Sequence, residues 1–436
     1  MLGSPTSSST LELAETSIVR FFCVNSPFFL VVEVPKTVFL CGLAHQPRQP
    51  AMAPRSFSAG VSSLALLLSI SGSLTVAQST VDDSRCNCYV SNGSDVAHYV
   101  HHKFYDFRSL SQHAGIPPLI SNADEATTAP ITSDYFSDDS FKTFWDIQNW
   151  NNSVSLGTAA SNASVLRVNS RNNIYVERNA VENVTPQTWL TLRTARQTQF
   201  QSTAEMVTQS DKIQFISMRM LARTIGAPGG CTAMFTYRGP PADQPNAKLQ
   251  EADLEMLTKY PRDLVQCTNQ PSIDDEGQLI APATANVTMP GHATWDNWAI
   301  YRMDWTPRQT TWYINGVQIA NISFQTPTDP ARVHLNAWSD GGNWTGAMAF
   351  RTAAHLHIQW WELLYNQTDK KPEAKECKAV CSIDASNTLG KAVMISNSLA
   401  PGRLLERTDG LAAVVAWVPS LATLLMLLLS SSILQS

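Results

Sequence analysis

Charged residues are scarce in this 436-residue chain, at 15% against about 25% in an average soluble domain. The formal net charge is -5, and no long Lys/Arg block occurs. This excludes a nucleic-acid binder that relies on a basic field. Eight cysteines in so long a chain do not make a disulfide scaffold. Long amphipathic helix patterns are missing, apart from a candidate near 187–205, and no internal repeat is visible. P-loop, dinucleotide-fold, His-Glu-x-x-His and Gly-x-Ser-x-Gly motifs are all absent, so nothing calls for a cofactor. The run His98, His101, His102 and the pair His355, His357 lack a convincingly spaced carboxylate. They read as polar surface, and no metal is expected from them. Apolar and aromatic residues, in contrast, are plentiful: 44% hydrophobic, with twelve Trp and sixteen Phe. A chain of this kind can bury a large core.

The two ends read as targeting segments. Residues 411–434 are apolar and uncharged, long enough to cross a bilayer as a helix. Small residues at Ser396-Asn397-Ser398 and a spacer precede this run, which is the pattern of a GPI signal whose tail is removed (411–436), with a true membrane helix as the alternative. Near the other end, Met52-Ala53-Pro54-Arg55, an apolar Leu64–Ile70 stretch and Thr75-Val76-Ala77 have the layout of a secretory signal over 52–77. Residues 1–51 then need no fold. The expected location is the cell surface or cell wall, anchored to the plasma membrane.

Eight N-x-[ST] sequons, at Asn92, Asn151, Asn162, Asn183, Asn286, Asn321, Asn343 and Asn366, all fall between that signal and that tail. Glycans there would supply hydration that the low charge does not. Disulfides are permitted in this compartment. Six cysteines remain, and six allow fifteen connectivities. Cys86 and Cys88 near the start and Cys377 and Cys381 near the end could tie the termini together. Cys231 and Cys267 would be left as a third pair.

Between about 86 and 368 the apolar pattern has period two, broken by Gly, Pro, Asn and Asp clusters. Ile213–Met220, Cys231–Tyr237, Glu251–Leu257, Trp298–Trp305, Thr311–Ile314, Val333–Trp338 and Leu356–Leu364 read as strands. Asn315-Gly316 marks a two-residue hairpin turn, because both positions accept positive φ. Many short strands with frequent turn signals predict an all-β fold, a β-sandwich of the jelly-roll kind. The expected layout is one monomeric β domain over 86–368, then a polar linker over 369–410.

The most informative stretch is Glu251-Ala252-Asp253-Leu254-Glu255. On a strand, residues i, i+2 and i+4 share one face, so three acids project together while Ala252 and Leu254 point the other way. In a groove, repulsion and desolvation raise at least one of their pKa values. Hydrolysis of a glycosidic bond needs that separation: one carboxylate ionised as nucleophile and one carboxylic acid protonated as proton donor. Glu at the outer positions has the reach to close a Cα separation of about 13 Å. Alone, the five residues also suit a solvated acidic edge strand.

Neighbouring motifs decide between the two. Gly230-Cys231-Thr232-Ala233-Met234-Phe235-Thr236-Tyr237 ahead of the acid row resembles glycoside hydrolase family 16, in which a Phe-Thr-Tyr strand precedes a Glu-x-Asp-x-Glu strand. Trp298 to Pro307 with Thr311 to Val317 resembles the paired strands of that family. His334-Leu335-Asn336-Ala337-Trp338 followed by Gly341-Gly342-Asn343-Trp344 resembles its Asn-x-Trp strand and Gly/Trp-rich loop. The resemblance spans roughly 200–365. His101 to Phe107, and Tyr260-Pro261 with Thr268 to Pro271, are similar to its fungal cell-surface branch. It implies a concanavalin A-like sandwich with a concave glycan cleft, Glu251 as nucleophile, Asp253 tuning it and Glu255 as acid/base. The spacing lacks the extra residue of the bulged Glu-x-Asp-x-x-Glu branch, and Ala252 replaces the usual Ile. Some members of the family carry a structural calcium away from the site, and nothing in this sequence points to one.

A sugar cleft wants aromatic platforms and amides. Tyr237, Trp312, Asn336, Trp338 and Trp344 are the candidates, with Arg238 and Gln270 beside them. Trp298, Trp305, Trp360 and Trp361 read as core or convex-face residues. The expected partner is a β-glucan or related wall polysaccharide. The expected activity is retaining endo-β-glucan hydrolysis of the β-1,3(4) type. A wall glucan/chitin transglycosylase and a non-catalytic lectin are the alternatives.

Overall fold

Twenty-one strands, the central ones buried on both faces, form in the computed structural model, which describes residues 79–156, 163–241, 243, 249–274, 276–369 and 377–397. The N-terminal extension, the signal segment, the C-terminal tail and Asn162 lie outside the described residues. In chain order the strands are β1 (Thr80–Val81), β2 (Cys88–Val90), β3 (His98–Tyr99), β4 (His101–Asp106), β5 (Trp145–Ile147), β6 (Leu166–Asn169) and β7 (Ile174–Arg178). Next come β8 (Thr188–Arg196), β9 (Phe200–Thr208), β10 (Ile213–Gly226), β11 (Cys231–Arg238), β12 (Gln250–Leu257), β13 (Leu264–Gln270) and β14 (Thr284–Thr288). The last are β15 (Ala299–Trp305), β16 (Thr310–Ile314), β17 (Val317–Ile322), β18 (Arg332–Trp338), β19 (Ala353–Gln367), β20 (Ala379–Ser382) and β21 (Ala392–Asn397).

Two layers form. The front layer runs β14-β13-β12-β11-β18-β9 and the back layer β8-β19-β10-β15-β16-β17, with β8 paired to β9 where the layers join. Between them lies one large core. Met234, Leu254, Met256 and Leu335 from the front meet Met218, Met220, Met303, Trp305 and Trp361 from the back. The expected all-β sandwich is what the structure shows. Asn315 and Gly316 sit at φ 50 and φ 80 and join β16 to β17, as the Asn-Gly signal requires.

Four expectations need correction. The helix candidate near 187–205 is two strands, β8 and β9. Leu190, Leu192, Ala204 and Met206 face the core at period two, which a helix could not arrange. The stretch expected as a linker from 369 carries β20 and β21. These complete a second sheet, β1-β21-β20-β2-β3, whose small core includes Tyr89, Tyr99, Leu364, Ile383 and Ala392. The fold also begins earlier than 86, with β1 at the edge of that sheet. Disulfides Cys86–Cys381 and Cys88–Cys377 tie the termini as anticipated. Cys231 and Cys267 are both free and buried. Cys231 pairs with Leu257 and Cys267 with Leu254 across their strands. Leu254 and Leu257 differ by an odd number of residues, so the two thiols emerge on opposite faces of the front sheet and cannot bond.

A buried charge network accompanies the apolar packing where the second sheet lies on the back layer. His102 contacts Asp83 at 3.1 Å and Glu362 at 2.9 Å, and Arg219 bridges Glu362 and Asp384 at 2.6 Å each. His102 is therefore an internal strut and not free polar surface. His355 and His357 are largely buried on β19, where His357 takes a hydrogen bond from Arg223 at 3.3 Å.

Candidate active site

The acid row lies on β12, flanked by β11 and β13. Tyr237 stands opposite Glu251, Phe235 opposite Asp253 and Ala233 opposite Glu255. These side chains share the outward face of the front sheet and line a cleft of about 720 Å³ with Arg332, His334, Asn336 and Trp338 of β18. The partners on the other face, Ala252 and Leu254, are core. The row is thus a cleft floor and not an acidic edge strand.

Within it, Asp253 and Glu255 are buried and Glu251 is half-buried. Burial pushes all three carboxyls upward, and the flanking Glu251 and Glu255 push the Asp253 carboxyl up as well. Asp253 and Glu251 also share a hydrogen bond that lowers Glu251 and raises Asp253. Asp253 therefore holds the proton and donates it, and Glu251 is the acceptor. Gln270 Nε2 donates to Asp253 Oδ2 at 3.3 Å from β13. Glu255 Oε1 accepts from Trp344 Nε1 at 3.3 Å and from Cys231 Sγ at 3.2 Å. Burial and the adjacent Glu255 keep that thiol protonated and able to donate.

Trp344 reaches the row because its loop is pressed onto the start of β11. Gly229, at φ 97, passes so close to Met348 that an added Cβ would lie 2.6 Å from the Met348 nitrogen. Only glycine fits there.

Of the five residues expected to bind sugar, four reach the site. Tyr237, Asn336 and Trp338 line the cleft, and Trp344 hydrogen-bonds Glu255. Trp312 does not. It sits on β16 of the back layer opposite Met303, wholly inside the core. The strand alternation turns it inward, and its own stretch held no sign of which face was wet. Arg238 pairs with Asp329 outside the lining set. Sequence reading missed several lining groups: Asp146, Arg167, Asn169, Glu205, Arg332 and His334. Glu205 and His334 are separated by 129 residues yet hydrogen-bonded at 2.9 Å. Nothing local in either segment signals that pairing.

Among the sequon asparagines, Asn92, Asn151, Asn183, Asn286, Asn321 and Asn343 are exposed. Asn366 is a correction. It is 6% exposed, its Nδ2 donates to His98 O at 2.9 Å and its Oδ1 accepts from Val100 N at 2.9 Å. An amide occupied on both sides inside the fold leaves no nitrogen for a glycan.

Residues 167–362 match the model of glycosyl hydrolases family 16. The matched stretch contains the whole acid row and most of the cleft floor, and the family 16 match supports a glycosidase. A xylanase/beta-glucanase of Ruminococcus flavefaciens is 27% identical over 141 residues, which is 32% of this chain and 16% of that protein. A beta-glucanase of Bacillus subtilis (strain 168) is 25% identical over 134 residues, 30% of this chain and 51% of that protein. The chain thus spans about half or less of the length of these curated relatives. Among solved structures, the catalytic domain of an endo-1,3-beta-glucanase (laminarinase) from Thermotoga petrophila RKU-1 is similar with a TM-score of 0.41 and 17% identity, covering 52% of this chain and 92% of that one.

Proposed function

We propose that this protein is a retaining endo-β-glucan hydrolase of the cell surface, acting on wall polysaccharide of the β-1,3(4) type. The observation that carries the reading is the arrangement of Glu251, Asp253 and Glu255 along one face of β12 at the bottom of an open cleft. Glu251 is the nucleophile. Its carboxylate attacks the anomeric carbon while Glu255 gives its proton to the leaving glycosidic oxygen. Water then attacks the glycosyl ester, Glu255 takes up its proton, and the Glu251 carboxylate is released. Asp253 donates a hydrogen bond to Glu251 and holds it in line. Trp338 and Tyr237 offer ring faces to the glycan, and Asn336 offers an amide.

Six exposed sequon asparagines support a secreted, glycosylated exterior, and the sequence pattern at 411–436 supports a GPI anchor. The test is product analysis of the secreted protein on laminarin and lichenan, beside Glu251→Gln. Shorter oligosaccharides, lost by at least about 10³-fold in Glu251→Gln with glucan still bound, are expected. Longer or mixed products would make the protein a transglycosylase. Bound glycan with no products from the wild type would make it a lectin.

A further inference from the structure

One wall of the cleft carries a cation with free donors. Val168 on β6 is wholly buried in a small core with Ile120 and Phe200. Strand alternation turns its neighbours Arg167 and Asn169 the other way, into the lining of the cleft. The Arg167 backbone is pinned on both sides: its N–H donates to Asn152 Oδ1 at 2.7 Å, and its carbonyl accepts from Asn152 N at 3.2 Å. The side chain reaches over Trp338, with Cζ 5.1 Å from the ring centroid. The indole props the guanidinium and limits its swing. Nε is closed to solvent, whereas Nη1 and Nη2 stay open to it and bond no partner among the described residues. The two carboxylates that act on this cation through space, Asp340 and Glu205, are engaged elsewhere. Asp340 Oδ1 accepts from Thr345 Oγ1 at 2.6 Å and from Gly342 N at 2.8 Å. Glu205 bonds Asn169 at 3.3 Å and His334 at 2.9 Å. A guanidinium does not shed its proton, so its two terminal amino groups offer donors to whatever fills the cleft. An anion brought to them would also meet the fields of Asp340 and Glu205, so a neutral acceptor suits the place better.

We propose that the terminal amino groups of Arg167 donate to hydroxyl oxygens of a glucan unit lying beyond Trp338, which makes this wall a distal subsite for neutral glycan. This rests on reading the site as a glucan cleft, and it adds a length requirement. β6 pairs with β9 and β9 with β18, so Arg167 comes to Trp338 from the side away from β12. Trp338 is itself two strands from β12, roughly 10 Å at sheet spacing. The unit held by Arg167 is therefore not the one being cleaved. Short oligosaccharides can occupy the acid row without reaching Arg167, and longer ones gain its hydrogen bonds.

The test is calorimetric binding of β-1,3- and mixed-linkage glucan oligosaccharides of increasing length to the Glu251→Gln protein. In that background Arg167→Met keeps an unbranched stem against Trp338 and deletes the donors. It is expected to lose affinity by about tenfold for the longer oligosaccharides and to bind the shortest like its parent. If Arg167→Met fails to show the parent's unfolding transition, Arg167→Lys takes its place. The ammonium keeps the charge without the planar fork, and a loss of about threefold is expected at the same lengths. Parental affinity along the whole ladder overturns the proposal, because Arg167 then only props Trp338. An equal loss at every length overturns it too, because the defect then lies at the acid row or in the fold. The same ladder with its terminal hydroxymethyl groups oxidised to carboxylates should bind no more tightly than the neutral one. Tighter binding that disappears in Arg167→Met would overturn the neutral assignment in favour of an acidic glycan. A Glu251→Gln protein that binds none of the ladder, beside a wild type that releases no product from either glucan, overturns the glucan reading itself and this inference with it.

Discussion

Two donors, Trp344 Nε1 and Cys231 Sγ, converge on one carboxyl oxygen of Glu255. Both favour its ionised form, against the burial that pushes it upward. Their removal therefore raises the pKa of the proton donor. Trp344→Phe keeps most of the ring and deletes one donor, so the alkaline limb of the kcat profile should move to higher pH by roughly half a unit to one unit. A profile fixed in position, or shifted to lower pH, would deny Glu255 the acid role. The three acids were legible in the sequence because a strand's period of two puts alternate residues on one face. Their helpers were not. Cys231 read as half of a disulfide, since its neighbour across the sheet, and not its neighbours in the chain, gives it a partner. Trp312 read as a sugar platform because a tryptophan carries the same signal in a core as in a cleft.

On the scale of one strand, β12 holds three carboxyls where an apolar strand would be more stable. Each buried carboxyl with a raised value keeps a proton that the unfolded chain gives up. Its contribution to stability is present below the unfolded value, near 4, and is lost as pH rises through the folded value. Asp253, wholly buried and flanked by both glutamates, is the sharpest probe. Asp253→Asn keeps a donor for Glu251 and removes the titration. It should unfold at a higher temperature than the wild type at pH 8, with a gain of about 1–3 kcal/mol, and show little gain at pH 4. Turnover should fall, because the tuning of Glu251 is lost. Equal unfolding temperatures at pH 8, measured by calorimetry, would mean that the row is less buried than its position on the cleft floor implies.

For the molecule as a whole, periodicity predicted a sandwich, and the Asn-Gly turn gave one hairpin its register. The second sheet escaped notice because its strands are two to six residues long and come from both ends of the described chain. Its core is too small to speak through local pattern. It is held by covalent and ionic ties instead: two disulfides and the chain Asp83–His102–Glu362–Arg219–Asp384. Burial alone would push His102 down, but hydrogen bonds to Asp83 and Glu362 hold it at about 9. That strut is complete below the ordinary value of 6.5 and weakens as pH rises toward 9.

The two disulfides close almost the same loop, over 295 and 289 residues. Loop-closure entropy grows slowly with length and is removed from the unfolded chain once by whichever bridge is present. Stability should therefore respond non-additively. Cys88→Ser with Cys377→Ser should cost about 1 kcal/mol or less while the other bridge remains. Removing all four cysteines should cost about 4–5 kcal/mol, the range for so long a closure. Urea unfolding measures both, with the slope fitted for each variant because opening the unfolded chain steepens it. The cleft lies on the opposite layer, so at low denaturant the quadruple variant should keep its turnover within about twofold of the wild type. Equal and additive losses from the two pairs would show that each bridge acts through its own local contacts, and a large loss of turnover would show that the second sheet helps hold the cleft in shape.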